Sequence, residues 1–298
     1  MANSDNRAML RELEQCQTAI VEKLEGYFTG NGAGSKKLLE SMRYSLLAGG
    51  KRIRPVMCVK FCEAAGGTAE NALEAACSVE MLHTYSLVHD DLPCMDDSAM
   101  RRGKPSNHIE FGEFTATLAG DALQAVAFET LLSSNLQPGT IVRMARVLAE
   151  AAGPRGICGG QHLDVHGTLK PLTEDELVEI HNMKTAALIS AAAHIGVIAA
   201  GGSEEQIKAA EEYALAIGLA FQVRDDVLDI TMPTEKLGKP MGADLENDKT
   251  TFPILLGIDK CEEMIRVETG RAIAALDGKF DNTEFLTWLA HMLADRKS

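Results

Sequence analysis

Aromatic residues are scarce: one Trp, four Tyr and nine Phe make up 5% of 298 residues, and there are only nine prolines. Sheets draw on aromatic and β-branched residues, so this scarcity, beside Ala-, Leu- and Glu-rich stretches, excludes a mainly β fold and favours helices. Positive charge is also short. Lys and Arg number 29 against 43 Asp and Glu, a formal net charge of −14, which argues against a nucleic-acid partner. No membrane span is expected, because the most apolar stretch, 186–200, is Ala-rich, contains Ser190 and His194, and reads as a core helix. The start, MANSDNRAML, lacks a basic region followed by an apolar one; a transit peptide already removed would leave no trace, so an organelle stays open beside the cytoplasm. Seven cysteines, odd in number and scattered, give no disulfide framework. Cys58 and Cys62 lie four apart, but no further pair completes a zinc set, so they read as buried free thiols in a reducing, intracellular compartment.

What the chain has is apolar bulk, 46% of its residues, enough to bury a sizeable core. Local Gly and Pro signals separate helical segments, and no low-complexity linker divides them, so residues 1–298 read as a single domain. Helices are expected over 6–29, 36–48, 55–65, 69–92, 112–134, 139–152, 174–199, 204–231 and 250–275, with a short one at 283–295. Thr173-Glu174-Asp175-Glu176 and Ser203-Glu204-Glu205-Gln206 match a capping box, in which hydroxyl and acid or amide satisfy each other's backbone N–H. Several helices are apolar all round, as helices inside a large assembly must be. The expectation is an all-α, many-helix bundle around a central cavity.

Two acidic clusters lie on these helices. His83 and Asp90 are seven residues apart, nearly two turns, so an imidazole and a carboxylate share a face. Asp91 adjoins Asp90, and Asp96 and Asp97 follow across Pro93, giving DDLPCMDD. In the second cluster, Asp225-Asp226-Val227-Leu228-Asp229, Asp225 and Asp229 are one turn apart and Gln222 lies on about the same face. Neighbouring carboxylates repel. Taken singly, each cluster also reads as a solvated acidic face; two in one chain point to a bound cation. Hard oxygen donors with few His suggest Mg²⁺, which prefers carboxylates together with substrate phosphates.

Basic residues come in compact sets, GGKRIRP at 49–55 and Arg101-Arg102. Pro55 suits the first position of a helix, which would put Lys51 and Arg54 at an N-terminus that favours phosphate. Alone, the set is equally a turn with solvated charges. Lys184-Thr185, Lys239 and Lys249 add cations near the second acidic cluster.

The ordered combination GGKRIRP, DDLPCMDDSAMRRG, GGQHLD, Lys184-Thr185, FQVRDDVLD and GADLENDKTTFP resembles the trans-polyprenyl diphosphate synthases. The four-residue spacer Leu92 to Met95 is similar to that of the short-chain branch containing bacterial-type farnesyl and plant-type geranylgeranyl diphosphate synthases. The resemblance implies the isoprenoid synthase type I fold, a homodimer, and condensation of isopentenyl diphosphate with an allylic diphosphate, dimethylallyl or geranyl. It implies up to three Mg²⁺ ions, two on Asp90 and Asp96 and one on Asp225, with Asp91, Asp226 and Asp229 in support. Arg101, Lys184, Thr185, Gln222, Lys239 and Lys249 would hold the allylic diphosphate or its developing charge; Lys51, Arg54, His83 and Arg102 would hold isopentenyl diphosphate. Lys184, Thr185, Gln222, Asp90 and Asp225 would be the catalytic set.

Tyr85 lies five residues before Asp90, about 7.5 Å along a helix. In the resemblance a bulky aromatic there goes with farnesyl products, and the small Ser86 beside it weakens the block slightly. Geranylgeranyl or geranyl products are the alternatives. A class I terpene cyclase is disfavoured because Asp229 and Pro233 stand where its second metal motif needs a hydroxyl and a Glu. A non-catalytic synthase subunit is disfavoured because both aspartate motifs are present. His89, His108, His162, His166, His181 and His194 read as structural, and Arg224 and Ser98-Ala99-Met100 as departures from the family's pattern near the metal motifs. Arg296 and Lys297 read either as a frayed basic tail or as residues that close over diphosphate.

Overall fold

A computed structural model describes residues 2–28, 35–167, 172–231 and 250–296. The described residues are helical almost throughout. The helices are α1 (Ala2–Gly26), α2 (Lys36–Leu46), α3 (Ile53–Ala64), α4 (Ala69–Asp90), α5 (Asn107–Phe111), α6 (Glu113–Leu132), α7 (Pro138–Ala152), α8 (Ile157–Gly167), α9 (Glu174–His181), α10 (Ala187–Ala199), α11 (Glu204–Thr231), α12 (Phe252–Leu256), α13 (Ile258–Leu276) and α14 (Glu284–Ala294). The all-α expectation holds.

Helix starts follow the expected chemistry. Thr173 Oγ1 accepts from the Glu176 amide at 3.3 Å, and the Thr173 amide donates to Glu176 Oε2 at 2.9 Å. Ser203 and Gln206 repeat the box at 3.2 and 2.9 Å.

Helices α3, α4, α10 and α11 form the centre: α10 packs on α3, α4, α7 and α11, while α4 also packs on α3 and α6. The side chains of α4 and α10 are buried around most of the circumference, which explains why these two helices show no polar face. Phe61 and Tyr213 meet edge to face at 5.2 Å in this core, and the Tyr213 hydroxyl donates to the Leu286 carbonyl at 2.7 Å, tying α14 to α11. Each such large side chain contributes about 1.5–3 kcal/mol by burial. The stretch Glu174–Ala199 is apolar enough by composition to cross a membrane, yet 67% of its apolar window is buried inside the bundle, which marks a core helix.

Five local expectations need correction. Helix α3 begins at Ile53 with Arg52 as its N-cap, two residues before Pro55; Pro55 still falls in the first turn, where its missing N–H costs no intrahelical bond. Residues 157–167, unassigned from sequence, form α8. The helix expected at 250–275 breaks at Gly257, whose φ of +79° separates α12 from α13. Before α6, Gly112 (φ +88°) sets off the short α5. The 174–199 helix contains a π-helical turn, Asn182–Ala186.

The one sheet among the described residues is a two-stranded hairpin, β1 (Met100–Arg101) against β2 (Lys104–Pro105), with Arg101 opposite Lys104. Its turn residues, Arg102 and Gly103, have φ of +52° and +74°, the pattern of a type I′ turn, whose twist suits a hairpin.

Candidate active site

The first acidic cluster sits where α4 ends. The Asp96 amide donates to the Asp90 carbonyl at 2.9 Å, so the chain folds back over the helix terminus and brings Asp96 to Asp90. Burial pushes the Asp90 carboxyl up to about 6, nearby Lys184 opposes this, and the charge of Asp96 adds to it. Asp91 is buried and grips Arg101, which donates Nε at 3.0 Å and Nη2 at 2.5 Å. Arg101 is thereby anchored beside the cluster by a fork that leaves little rotational freedom.

The π turn carries Lys184 and Thr185. A π turn inserts one residue into the helical register and splits the two side chains between partners. Lys184 Nζ lies 2.5 Å from Asp164 Oδ2 on α8. Burial works against the Lys184 charge, but Asp164, Asp90 and Asp96 together hold it above the ordinary lysine value. Thr185 Oγ1 donates to Gln222 Oε1 at 3.3 Å, and Gln222 Nε2 donates to Asp226 Oδ1 at 2.9 Å. Asp226 Oδ2 then accepts from the Phe252 amide at 3.1 Å. The turn therefore stands between the two acidic clusters, linked by charge to the first and by hydrogen bonds to the second. Close approach of α8 makes this possible, since a Cβ on Gly160 would lie 2.3 Å from the Lys184 nitrogen.

In the second cluster Asp226 and Asp229 are buried and Asp225 is half-exposed. Gln222 bonds Asp226 rather than Asp225, because the i, i+4 spacing favours that pair. Asp225 forms an ion pair with Arg296. Arg224 turns away from the cluster: Nε donates to the Ala294 carbonyl at 2.7 Å and Nη1 to Glu262 at 2.6 Å, so it packs the C-terminal helices.

The basic residues line a cavity of about 100 Å³ between α3, α4, α10, α11 and α14, with Lys51, Arg54, His83 and Arg102 on its polar side and Met57, Ile189, Ile217 and Phe221 among its apolar walls. Arg54 Nη1 is 3.4 Å from His83 Nε2. Arginine has only donors, so Nε2 accepts and the imidazole is neutral. Burial and the arginines around it push His83 well below the ordinary histidine value. Arg102 Nη1 donates to the Gly49 carbonyl at 2.6 Å.

Tyr85 is buried between α4 and the α7–α8 junction, its hydroxyl 3.5 Å from both the Ala152 carbonyl and Cys158 Sγ. Ser86 Oγ bonds its own helix at the His83 carbonyl. Lys239 and Lys249 lie outside the described residues. Of the histidines read as structural, His89 bonds the Thr117 carbonyl at 3.0 Å and His194 pairs with Glu211 at 2.8 Å.

The sequence reading missed Arg52, Glu80 and the Asp164 partner of Lys184. Arg52 stood inside GGKRIRP. Glu80, three residues before His83, carried a signal as the one acid within the apolar run 75–82.

Among the described residues no group of three or more His, Cys, Asp or Glu side chains is arranged to hold a metal alone. The donor set nevertheless suits Mg²⁺, which takes one or two carboxylates and completes its shell with water and phosphate oxygens. The raised Asp90 carboxyl beside Asp96 marks an electrostatic tension that a divalent cation relieves.

The Polyprenyl synthetase family model matches residues 35–281. Geranylgeranyl pyrophosphate synthase 11, chloroplastic, of Arabidopsis thaliana is 48% identical over 266 residues, covering 86% of this chain and 74% of its own. The geranylgeranyl pyrophosphate synthetase of Pyrococcus horikoshii superposes with a TM-score of 0.90 at 30% identity, over 98% of this chain and 99% of that one. A geranyltransferase from Helicobacter pylori, complexed with magnesium and isoprenyl diphosphate, gives a TM-score of 0.84 at 32% identity and covers 96% of each chain.

Proposed function

The chain belongs to the polyprenyl synthetase family and is a prenyltransferase of its short-chain group, and on that premise we propose that it condenses isopentenyl diphosphate with dimethylallyl and geranyl diphosphate to give farnesyl diphosphate. The supporting observation for the product is the Tyr85 ring wedged between α4 and the α7–α8 junction. We read residues 1–298 as one synthase domain.

The allylic diphosphate goes to the acidic side. Magnesium ions held by Asp90 and Asp96 on one helix end and by Asp225 on the other would supply positive charge to its oxygens. A solved relative complexed with magnesium and isoprenyl diphosphate supports magnesium as the metal. Lys184, with Arg101, Lys239 and Lys249, adds cations, so the diphosphate departs with the electron pair of the allylic C–O bond. Thr185 and Gln222, joined to each other and to Asp226 by hydrogen bonds, would turn their dipoles toward the developing charge once substrate is bound. Isopentenyl diphosphate goes to the basic cavity, where Lys51, Arg54 and Arg102 neutralise it and neutral His83 orients it. Holding both substrates makes the attack of the isopentenyl double bond effectively intramolecular, and the apolar walls exclude water that would quench the cation. Loss of a proton, which the departed diphosphate accepts, restores an alkene.

Self-association fits the exposed apolar face of α5 and α6, where Ile109, Phe114, Leu118 and Leu132 are 57%, 72%, 49% and 57% exposed; we propose a homodimer across it. All seven cysteines are free, which suits a reducing compartment, and we assign the cytoplasm; the chloroplastic relative makes a plastid the alternative.

The test is incorporation of labelled isopentenyl diphosphate with dimethylallyl, geranyl or farnesyl primer, with and without Mg²⁺, and separation of the dephosphorylated products by length. Metal-dependent arrest at C15 supports the reading, C20 from the native protein transfers it to a geranylgeranyl synthase, and no incorporation by folded protein rejects it.

A further inference from the structure

Among the described residues lining the basic cavity, Glu80 is the one acid amid Lys51, Arg52, Arg54 and Arg102. It lies in the middle of α4 and is 1% exposed. A buried carboxylate is costly unless cations and hydrogen bonds satisfy it, and two do so here. Arg52 forms an ion pair with it, both side chains almost fully buried, and donates Nη2 to the Leu46 carbonyl at 2.6 Å. Arg102 approaches it to 3.8 Å with Nη2 while Nη1 donates to the Gly49 carbonyl at 2.6 Å. The backbone is arranged for this convergence: Arg52 and Arg102 are two of the three non-glycine residues with positive φ among the described residues. Gly50 leaves room for the Arg102 guanidinium, since a Cβ there would meet Arg102 Cζ at 2.8 Å.

Glu80 has no reason to contact an anion, which it repels. Its effect is on the arginines. Arg52 is consumed as an internal tie, and Arg102 is fixed at two points of a five-donor fork, with further N–H groups over for a ligand. We propose that Glu80 is a positioning residue for isopentenyl diphosphate: it sets Arg102 over the Gly49-Gly50 turn and orders the cationic wall before the substrate arrives. The inference rests on assigning the basic cavity to that substrate, and it adds a specificity that the assignment lacks, because Glu80 faces this cavity and not the Asp90 or Asp225 clusters.

The test is steady-state kinetics of Glu80→Gln with both substrates varied, beside Arg102→Lys and the double variant, with thermal unfolding of each. Glu80→Gln is expected to raise KM for isopentenyl diphosphate roughly tenfold or more, because the Arg102 guanidinium loses its buried charge partner, and to leave KM for the allylic primer within about twofold. Effects of the two single changes should be far from additive, because both loosen one guanidinium. An equal rise in both KM values, a fall in KM for isopentenyl diphosphate, or additive effects would overturn the inference; a fall would mean that Glu80 only weakens the attraction of the wall. If Glu80→Gln does not unfold cooperatively, Gly50→Ala displaces the same guanidinium without touching the buried pair and must show the same split. A native protein that incorporates no isopentenyl diphosphate rejects the underlying assignment, whereas an active native protein with an unsplit Glu80→Gln rejects the positioning role alone.

Discussion

The guanidinium of Arg296, just beyond α14, is ion-paired with the carboxylate of Asp225 and lies 3.9 Å over the ring of Phe221. The last described residue thus rests on an aspartate we assign to Mg²⁺. Burial, and the charge of Arg224, push the Arg296 value down to about 10, which still leaves it charged at neutral pH.

A cation on a ligand competes with the metal. Arg296→Ala should therefore lower the Mg²⁺ concentration for half-maximal activity by roughly threefold to tenfold, while the lost pair and ring contact cost about 1 kcal/mol of stability. Titration of the thermal midpoint with Mg²⁺ should move in the same direction. An unchanged Mg²⁺ midpoint would reduce the pair to packing.

Asp90 makes stability depend on pH. Its folded value of about 6 exceeds the ordinary 3.8, so between those values the folded state holds the extra proton. The contribution to stability is full below the lower value, declines as pH rises and is gone above the upper one. Asp90→Asn should raise the urea midpoint at pH 7.5, by the equivalent of about 1–3 kcal/mol, and leave it unchanged near pH 3.5. Mg²⁺ binding to the native protein should weaken as pH falls through about 6, since the proton occupies the same oxygens. A variant with no gain at pH 7.5 would refute the burial account.

Gly160 controls how near α8 comes to the π turn. With the would-be Cβ 2.3 Å from the Lys184 nitrogen, Gly160→Ala must push α8 and the turn apart. The expected cost is about 1–3 kcal/mol of stability, and the 2.5 Å Lys184–Asp164 pair should loosen. Because the displaced side chains face the acidic side, KM for the allylic substrate should rise more than KM for isopentenyl diphosphate. The opposite split would place the turn in the other subsite.

Much of this was legible from local chemistry. The Thr173 and Ser203 caps work through contacts within four residues, and the seven-residue spacing of His83 and Asp90 fixes a common face whatever packs against it. What was not legible depends on distant partners. Helix α8 has the sequence ICGGQHLDVHG, whose glycines lower helix propensity and whose apolar residues keep no clean period; it packs on the π turn, and tertiary contact overrides propensity there. The π turn itself has no composition signal. Gln222 was grouped with Asp225 by angle, but the hydrogen bond forms with Asp226, whose second oxygen is held by the Phe252 amide from a helix 26 residues away. Glu80 carried a weak sign, and its meaning depends on two arginines that only the folded chain brings to it.

The last prediction concerns product length. Tyr85 is 3% exposed, and its hydroxyl has only long contacts, 3.5 Å to the Ala152 carbonyl and to Cys158 Sγ. The ring, rather than the hydroxyl, is then what fills the space. Tyr85→Phe keeps the ring and should cost less than about 1 kcal/mol while leaving the product distribution unchanged. Tyr85→Ala removes the ring and should cost about 3–5 kcal/mol, as other buried aromatic truncations do. The opened volume lies one and a half turns below Asp90, where a growing prenyl chain would point, so products should lengthen from C15 toward C20. Chromatography of dephosphorylated products from the three proteins separates the cases. A shift in the alanine variant alone assigns the stop to the ring; a shift in both assigns it to the hydroxyl's contacts; and a native protein already at C20 would mean that the chain passes beside Tyr85 and is stopped elsewhere.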